Sequence, residues 1–320
     1  MSTSGGTRAI IAALTANAGI AVTKFIAFLL SGSSAMLAEA VHSVADTGNQ
    51  VLLLIGGRRS KKQADAEHPF GYGRERFIYA FVVAIILFSV GGMFSIYEGI
   101  SKLENPEPLK LPWVPMIVLV VAMALETYSL RTAIRESNRV RGPQSWVAFV
   151  RHAKAPELPV VLLEDLAALI GLSFALLGVG LTILTGDSTW DAIATLGIGA
   201  LLIVVAIVLG IETKSLLIGE GASPADVTKI RDAITANPKV EAIVHMKTLY
   251  LGPEELLVAS KIAFASGTHL AEITATIDEV ESSIRASVPI ARAIYLEPAV
   301  FRAANLVSPP TDAIVIRGAD

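Results

Sequence analysis

Apolar residues gather in six long runs, near 8–30, 34–57, 77–101, 112–134, 158–185 and 190–218. A bilayer core of roughly 30 Å needs about 20 helical residues, so each run is long enough to cross it. The second run is interrupted by polar residues in a regular way. Glu39, His42, Asp46 and Asn49 follow one another at helical spacings and share one helix face. Beyond residue 218 the pattern changes. Ser223-Pro224-Ala225-Asp226 carries the marks of a helix start, and Asn237-Pro238 stops that helix after about Ala236. Val240–Leu251 and Glu255–Phe264 read as strands separated by Gly252-Pro253. A helix over His269–Ala286 follows, with Ile273, Ile277, Val280 and Ile284 on its inner face, and then a strand over Ala291–Leu296. The pattern predicts a mainly α membrane protein of six transmembrane helices. A small α+β domain of order α-β-β-α-β, ferredoxin-like with its helices on one sheet face, comes after them. The expected divisions are 1–218, 219–298 and a poorly ordered tail over 299–320.

Composition sharpens this picture. Hydrophobic residues make up 53% of the chain and charged ones 17%, against about 25% charged in ordinary soluble domains. The charge deficit belongs to the first 220 or so residues. No cysteine is present, so disulfides and thiolate metal sites are excluded, and any metal must use His, Asp, Glu or Met. The net charge of −3 matters less than its distribution. Arg58, Arg59, Lys61, Lys62, Arg74 and Arg76 crowd the second connection, and Arg131, Arg135, Arg139, Arg141, Arg151 and Lys154 the fourth. The third is balanced, and the fifth is acidic through Asp187 and Asp191. Basic connections remain in the cytoplasm. Both termini and the α+β domain are therefore expected there, in a multi-pass protein of the plasma (inner) membrane if the source is bacterial. Only Arg8 precedes the first run, which is too long for a signal-peptide core and reads as a retained span.

Ionisable groups inside a bilayer are costly and mark pathways or binding sites. His42 and Asp46, one turn apart, point two donors at one place; a metal ligand pair and a hydrogen bond gluing helices are both open at this point. The fifth run adds Glu164 and Asp165, whose directions differ by about 100°. Carboxylates on two spans together favour a cation site, with one of the adjacent pair on the metal and the other in a supporting or proton-carrying role. Glu126 in the fourth run is either a proton-carrying group or a partner for a basic residue such as Arg131. Asn17 and Asn49 are candidates for bonds between helices, and Lys24 for snorkelling or for pairing with another charge. Gly171, Gly178 and Gly180 read as helix-packing positions. His68-Pro69-Phe70-Gly71-Tyr72-Gly73-Arg74 reads first as a turn, with His68, beside Asp65 and Glu67, as a possible point of cation entry.

The six runs, His42-x-x-x-Asp46, the loop sequence His68 to Phe77 and the α-β-β-α-β tail together resemble the cation diffusion facilitator family over residues 8 to 298. The resemblance implies a homodimeric metal/proton antiporter that moves Zn²⁺ or a related divalent ion out of the cytoplasm. It implies no enzymatic activity, no cofactor and no nucleic-acid partner. The family's site pairs the span-two motif with a second His-x-x-x-Asp on span five, which Asp165 matches but Val161 does not. Leu163-Glu164-Asp165 resembles the branch that includes the mitochondrial zinc exporter. Glu164, Glu39 or water then completes the shell around His42, Asp46 and Asp165. One imidazole among carboxylates is a harder donor set, so Mn²⁺, Fe²⁺ and Co²⁺ are alternatives to Zn²⁺. The rival class is a non-transporting membrane scaffold whose soluble domain recruits partners.

Overall fold

The computed structural model describes residues 4–106 and 108–301. The chain falls into two compact units. One holds the residues up to Ser60 together with Glu75–Lys214, and the other holds Lys61–Arg74 with the described residues from Ser215 onward.

The first unit is helical. Its elements are α1 (Ser4–Ser31), α2 (Ser34–Arg59), α3 (Glu75–Ile86), α4 (Phe94–Glu104), α5 (Trp113–Arg141), the short α6 (Trp146–His152), α7 (Glu157–Thr185) and α8 (Thr189–Ile218). A π-helical turn over Leu87–Met93 joins α3 to α4 into one rod. Among the described residues four helices are long and apolar enough to cross a membrane: Glu75–Glu104, Trp113–Arg141, Glu157–Thr185 and Thr189–Ile218. The first run contributes a shorter apolar stretch over Asn17–Ser31, and α2, at 26 residues, has the length while its polar stripe keeps it outside this set. Val22, Phe25, Ile26, Leu29 and Leu30 of α1 face outward, as do Val204, Ile207 and Ile211 of α8. Inside, Leu53, Leu87, Leu119, Leu172 and Leu202 form a continuous core.

Small residues set how closely these helices approach. A methyl group at Gly178 would lie 2.4 Å from the Ala194 Cβ, so α7 and α8 touch there backbone to backbone. Gly92, in the π-helical turn, would meet the Ile203 side chain at 2.6 Å. Gly180 faces open space and has no such packing role.

Two features depart from the sequence pattern. α5 runs to Arg141, beyond the apolar run, because Arg139 pairs with Glu136 and Arg141 with Asn138 on its polar end; Gly142, at a φ of 60°, then ends it. α6 was not expected inside a basic connection. Ser145 caps it by accepting from the Ala148 amide, and Arg141 lies 4.3 Å over the Trp146 ring.

At the far end of α2 the turn from α1 is clasped by side chains from other helices. Asp191 of α8, fully buried, accepts from the Ser33 hydroxyl at 2.6 Å, the Ser34 amide at 2.8 Å and the Ser34 hydroxyl at 2.9 Å. The carboxylate therefore sits on the free Ser34 amide at the start of α2, where the helix dipole favours negative charge. Lys102 donates to the Gly32 carbonyl at 3.2 Å in the same turn.

The second unit contains α9 (Pro224–Thr235), β1 (Ala242–Gly252), β2 (Glu255–Phe264), α10 (Leu270–Ser287) and β3 (Ala291–Val300). The sheet order is β1-β2-β3, antiparallel between β1 and β2 and parallel between β2 and β3. The parallel pair needs a crossover, which α10 supplies. Leu256, Val258, Ile262 and Phe264 alternate along β2 toward Ile230 and Ile234 of α9 and Val280 and Ile284 of α10. Both helices thus cover one face, in the expected α-β-β-α-β order. β3 continues past the expected Leu296 because its Pro298 lies on an edge strand, where a missing amide is tolerated. Most of the expected tail over 299–320 lies outside the described residues.

The loop sequence around His68 belongs to this unit. Asp65 is its centre, accepting from the Lys62 ammonium at 2.9 Å, the Tyr72 hydroxyl at 2.7 Å and the His68 amide at 2.8 Å. Lys62 also stands 4.2 Å over the Tyr72 ring, on which the His68 ring packs at 4.4 Å. The glycines have separate reasons. Gly71 takes a φ of 75°, and a methyl at Gly73 would strike the Leu251 carbonyl at 2.7 Å, so the loop backbone lies directly on the β1–β2 turn.

Hydrogen bonds from Lys62, then from Tyr72 and from the His68 amide, hold the Asp65 carboxyl well below the usual carboxylate range. A carboxyl lowered in this way stabilises the fold fully above its unfolded value of 3.8 and loses that contribution as pH falls further. The loop should therefore keep its protection from amide exchange from about pH 5 upward and loosen below about pH 4. Asp65→Asn should expose the His68 and Gly71 amides to faster exchange at every pH. Removing the α2 clasp with Asp191→Ala strands the Ser33 hydroxyl and the Ser34 amide, while the Ser34 hydroxyl keeps Thr195, and should cost about 3 kcal/mol, read as a fall of roughly 5 °C or more in the unfolding midpoint in detergent.

Candidate metal site

α2 builds one half of the site. Ser33 caps it by accepting from the Met36 amide, and its apolar and polar faces then separate at helical spacing. Glu39, His42, Ser43, Asp46, Asn49 and Gln50 are buried, whereas Val44 on the opposite side is 60% exposed. The stripe expected from the sequence is therefore an inward-facing surface. His42 Nε2 stands 3.4 Å from Asp46 Oδ2, one turn along the helix.

α7 builds the other half, and its adjacent carboxylates diverge as their helical positions require. Glu164 turns toward α2, where its Oε1 accepts from the Asn49 amide group at 2.7 Å. Asp165 turns toward α5, where its Oδ2 accepts from the Ser129 hydroxyl at 2.9 Å. Both are buried. One turn before Ser129, Glu126 is 2% exposed, so α5 presents a carboxylate and a hydroxyl to the same region. Arg131 lies on the exposed side of α5, away from Glu126. Of the two readings for Glu126, pairing with that arginine is not what the structure contains.

Several polar atoms of this region have no hydrogen-bond partner among the described residues. They are both ring nitrogens of His42, Asp46 Oδ1, Asn49 Oδ1, Gln50 Oε1, Glu164 Oε2 and Glu39 Oε1. Buried polar groups are normally satisfied, and leaving one unpaired costs about 1–3 kcal/mol. Six of the seven belong to α2. Among the described residues no group of three His, Asp or Glu side chains stands close enough to grip one ion. Asn49 and Ser129 instead bracket Glu164 and Asp165 apart. The donors are one imidazole and carboxylate oxygens, a set suited to divalent transition metals.

The remaining expected residues fall as follows. Val161 packs against the apolar core and offers no donor. Glu39 is engaged elsewhere: its Oε2 lies 2.9 Å from the Lys24 ammonium of α1. Lys24 thus pairs inside the bundle instead of snorkelling. His68 belongs to the second unit, where its ring packs on Tyr72. Sequence reasoning passed over Ser43, Gln50, Ser129 and Asp191. Ser129 had a signal, being one turn from Glu126, and so had Gln50 beside Asn49. Asp191 had none, because an acidic residue at a helix start is equally common in solvent.

The model of the cation efflux transmembrane domain matches residues 10–218. The chain is 33% identical over 244 residues to the mitochondrial proton-coupled zinc antiporter SLC30A9 of Xenopus laevis, covering 75% of this chain and 44% of that protein. It is 29% identical to metal tolerance protein C4 of Arabidopsis thaliana, over 80% of this chain and 57% of that one. Against the cation-efflux pump FieF of Klebsiella pneumoniae the identity is 26%, over 87% of each chain. The chain spans less than half the length of the zinc antiporters it matches. A matched domain covering most of the chain and a polar stripe built where that domain lies lead to one assignment: the chain belongs to the cation efflux, or cation diffusion facilitator, family, and resembles its mitochondrial zinc exporters.

Proposed function

We propose that the protein exports a divalent transition-metal cation, Zn²⁺ first among them, from the cytoplasm in exchange for protons. It is a carrier and not an enzyme. The observation that carries this reading is the set of partnerless donors on α2, His42 and Asp46 above all, facing the α7 carboxylates inside an apolar bundle. The likeness to named proton-coupled zinc antiporters supports the choice of zinc and of antiport. In this reading six helices span the bilayer, namely α1, α2, the α3–α4 rod, α5, α7 and α8. Both termini lie in the cytoplasm, and the soluble unit joins two copies into a homodimer through its uncovered sheet face, where Tyr295 is 58% exposed.

Binding follows from the two brackets. Neutral His42 and ionised Asp46 offer a nitrogen and an oxygen at one turn's distance. Glu164 and Asp165 complete the shell when Asn49 and Ser129 give up their hydrogen bonds to them. An ion between α2 and α7 thus replaces two interhelical hydrogen bonds with bonds to itself, which draws the helices together. Protons compete for the same oxygens, so protonation from the far side releases the ion and restores the brackets. In this reading Glu126, buried on α5, passes such a proton. The single imidazole and the apolar Val161 favour Mn²⁺, Fe²⁺ or Co²⁺ as the alternative cargo.

Proteoliposomes carrying a pH gradient test this directly. Zn²⁺ uptake should fall at least tenfold in Asp46→Ala and in Asp165→Ala, and a few-fold in Asn49→Ala, which removes only a bracket. Uptake by the two aspartate variants at the wild-type rate would remove the site. No gradient-driven flux of Zn²⁺, Mn²⁺, Fe²⁺ or Co²⁺ by the wild type would instead favour the scaffold reading.

A further inference from the structure

Lys24 is among the largest fully buried side chains of the bundle. Its ammonium donates to Glu39 Oε2 at 2.9 Å and to Ser43 Oγ at 2.8 Å, and all three residues are at most 2% exposed. An ammonium taken into apolar surroundings loses several kcal/mol of hydration, and one carboxylate with one hydroxyl repays this only in part. An interhelical contact between α1 and α2 could be made more cheaply by apolar residues, as it is around Ile20 and Ala27. The position of the pair is informative. Glu39 lies one turn before His42 on the same buried face, and Ser43 is the next residue after it. The free oxygen of Glu39 fits against Gly171 of α7, where a methyl would come within 2.7 Å of it. A glycine is therefore needed on α7 for the Glu39 carboxylate to fit beside the stripe, two turns from Glu164 and Asp165.

We infer that Lys24 is a positioning residue that holds Glu39 outside the metal's donor set and fixes the charge the site presents to its cargo. The pair is neutral as a unit, so the ion meets the charges of Asp46, Glu164 and Asp165 but not that of Glu39. Removing either member alone changes the local charge by one, and the two changes have opposite signs. Without Lys24, the Glu39 carboxylate is free to join His42 at the ion, which binds more tightly and leaves more slowly. Without Glu39, an unpaired ammonium remains beside the site and repels the ion. Removing both restores neutrality. A pair that only glues α1 to α2 gives a different pattern, with both single changes weakening the protein in the same direction and the double change no better.

This inference rests on the reading of the α2–α7 region as a metal site, and the experiment separates the two. Zn²⁺ binding to the full chain in detergent is titrated by calorimetry, and initial Zn²⁺ flux is measured in proteoliposomes. Lys24→Gln should bind Zn²⁺ about tenfold more tightly with a lower maximal flux, and Glu39→Gln about tenfold more weakly. The double variant should return to within about threefold of wild type, and Lys24→Arg, which keeps the cation, should match wild type. Single variants that shift affinity in the same direction, or not at all, overturn the role of Lys24. So does a double variant no closer to wild type than the singles. If Lys24→Gln does not fold, Glu39→Gln and Lys24→Arg still decide: Zn²⁺ affinity unchanged in the first, or lost in the second, overturns it. A wild type that binds no divalent ion removes the metal site itself, before any variant is compared.

Discussion

Everything inside the helical unit answers to the cost of placing charge in an apolar bundle. Lys24, Glu39, Asp46, Glu126, Glu164 and Asp165 all lie on helices that otherwise carry Leu, Val, Ile and Ala inward. Such groups survive only where a partner, a hydroxyl or an amide meets them. Asn49 meets Glu164, Ser129 meets Asp165, and Lys24 meets Glu39. The helices are arranged so that these encounters occur, and small residues such as Gly171 let the backbones come close enough for them. What is left unmet is concentrated on His42, Asp46 and their neighbours on α2.

That uneven distribution connects packing to function. A uniformly satisfied interior would be a rigid plug, and a uniformly unsatisfied one would not fold. Here the α7 carboxylates are held by single hydrogen bonds from neutral groups, which the proposed divalent cargo would outcompete, while Lys24–Glu39 is a charged pair that it would displace less readily. The site is thus graded in how firmly each donor is already engaged.

Much of this was legible in the sequence because helical periodicity projects residues onto faces without any knowledge of the fold. Glu39, His42, Asp46 and Asn49 shared a face by spacing alone, and the carboxylates at 164 and 165 had to diverge by geometry. The soluble unit was equally readable, since Ser223, Pro224, Gly252 and Pro253 punctuate it. Partner choice was not legible. Nothing local to Glu39 says that Lys24 reaches it from another helix, and nothing around Asp191 says that it caps α2 across the bundle. The glycines of the loop after α2 announced a turn, but the contact of Gly73 with the β1–β2 turn depends on residues far away in the chain. Pairings across long sequence separations are set by tertiary packing, and one sequence records only their two ends.

The Asp191 clasp also has a kinematic meaning. It fixes the start of α2 to α8, so a tilt that preserves it has its fulcrum at Ser34. At 1.5 Å per residue, His42 is about 12 Å along the lever from that point and Asn49 about 22 Å. A small rotation therefore carries Asn49 nearly twice as far as His42. Such a tilt displaces the bracket on Glu164 most, while Asp46, about 18 Å along the lever, follows at about four-fifths of that distance and His42 at about half of it.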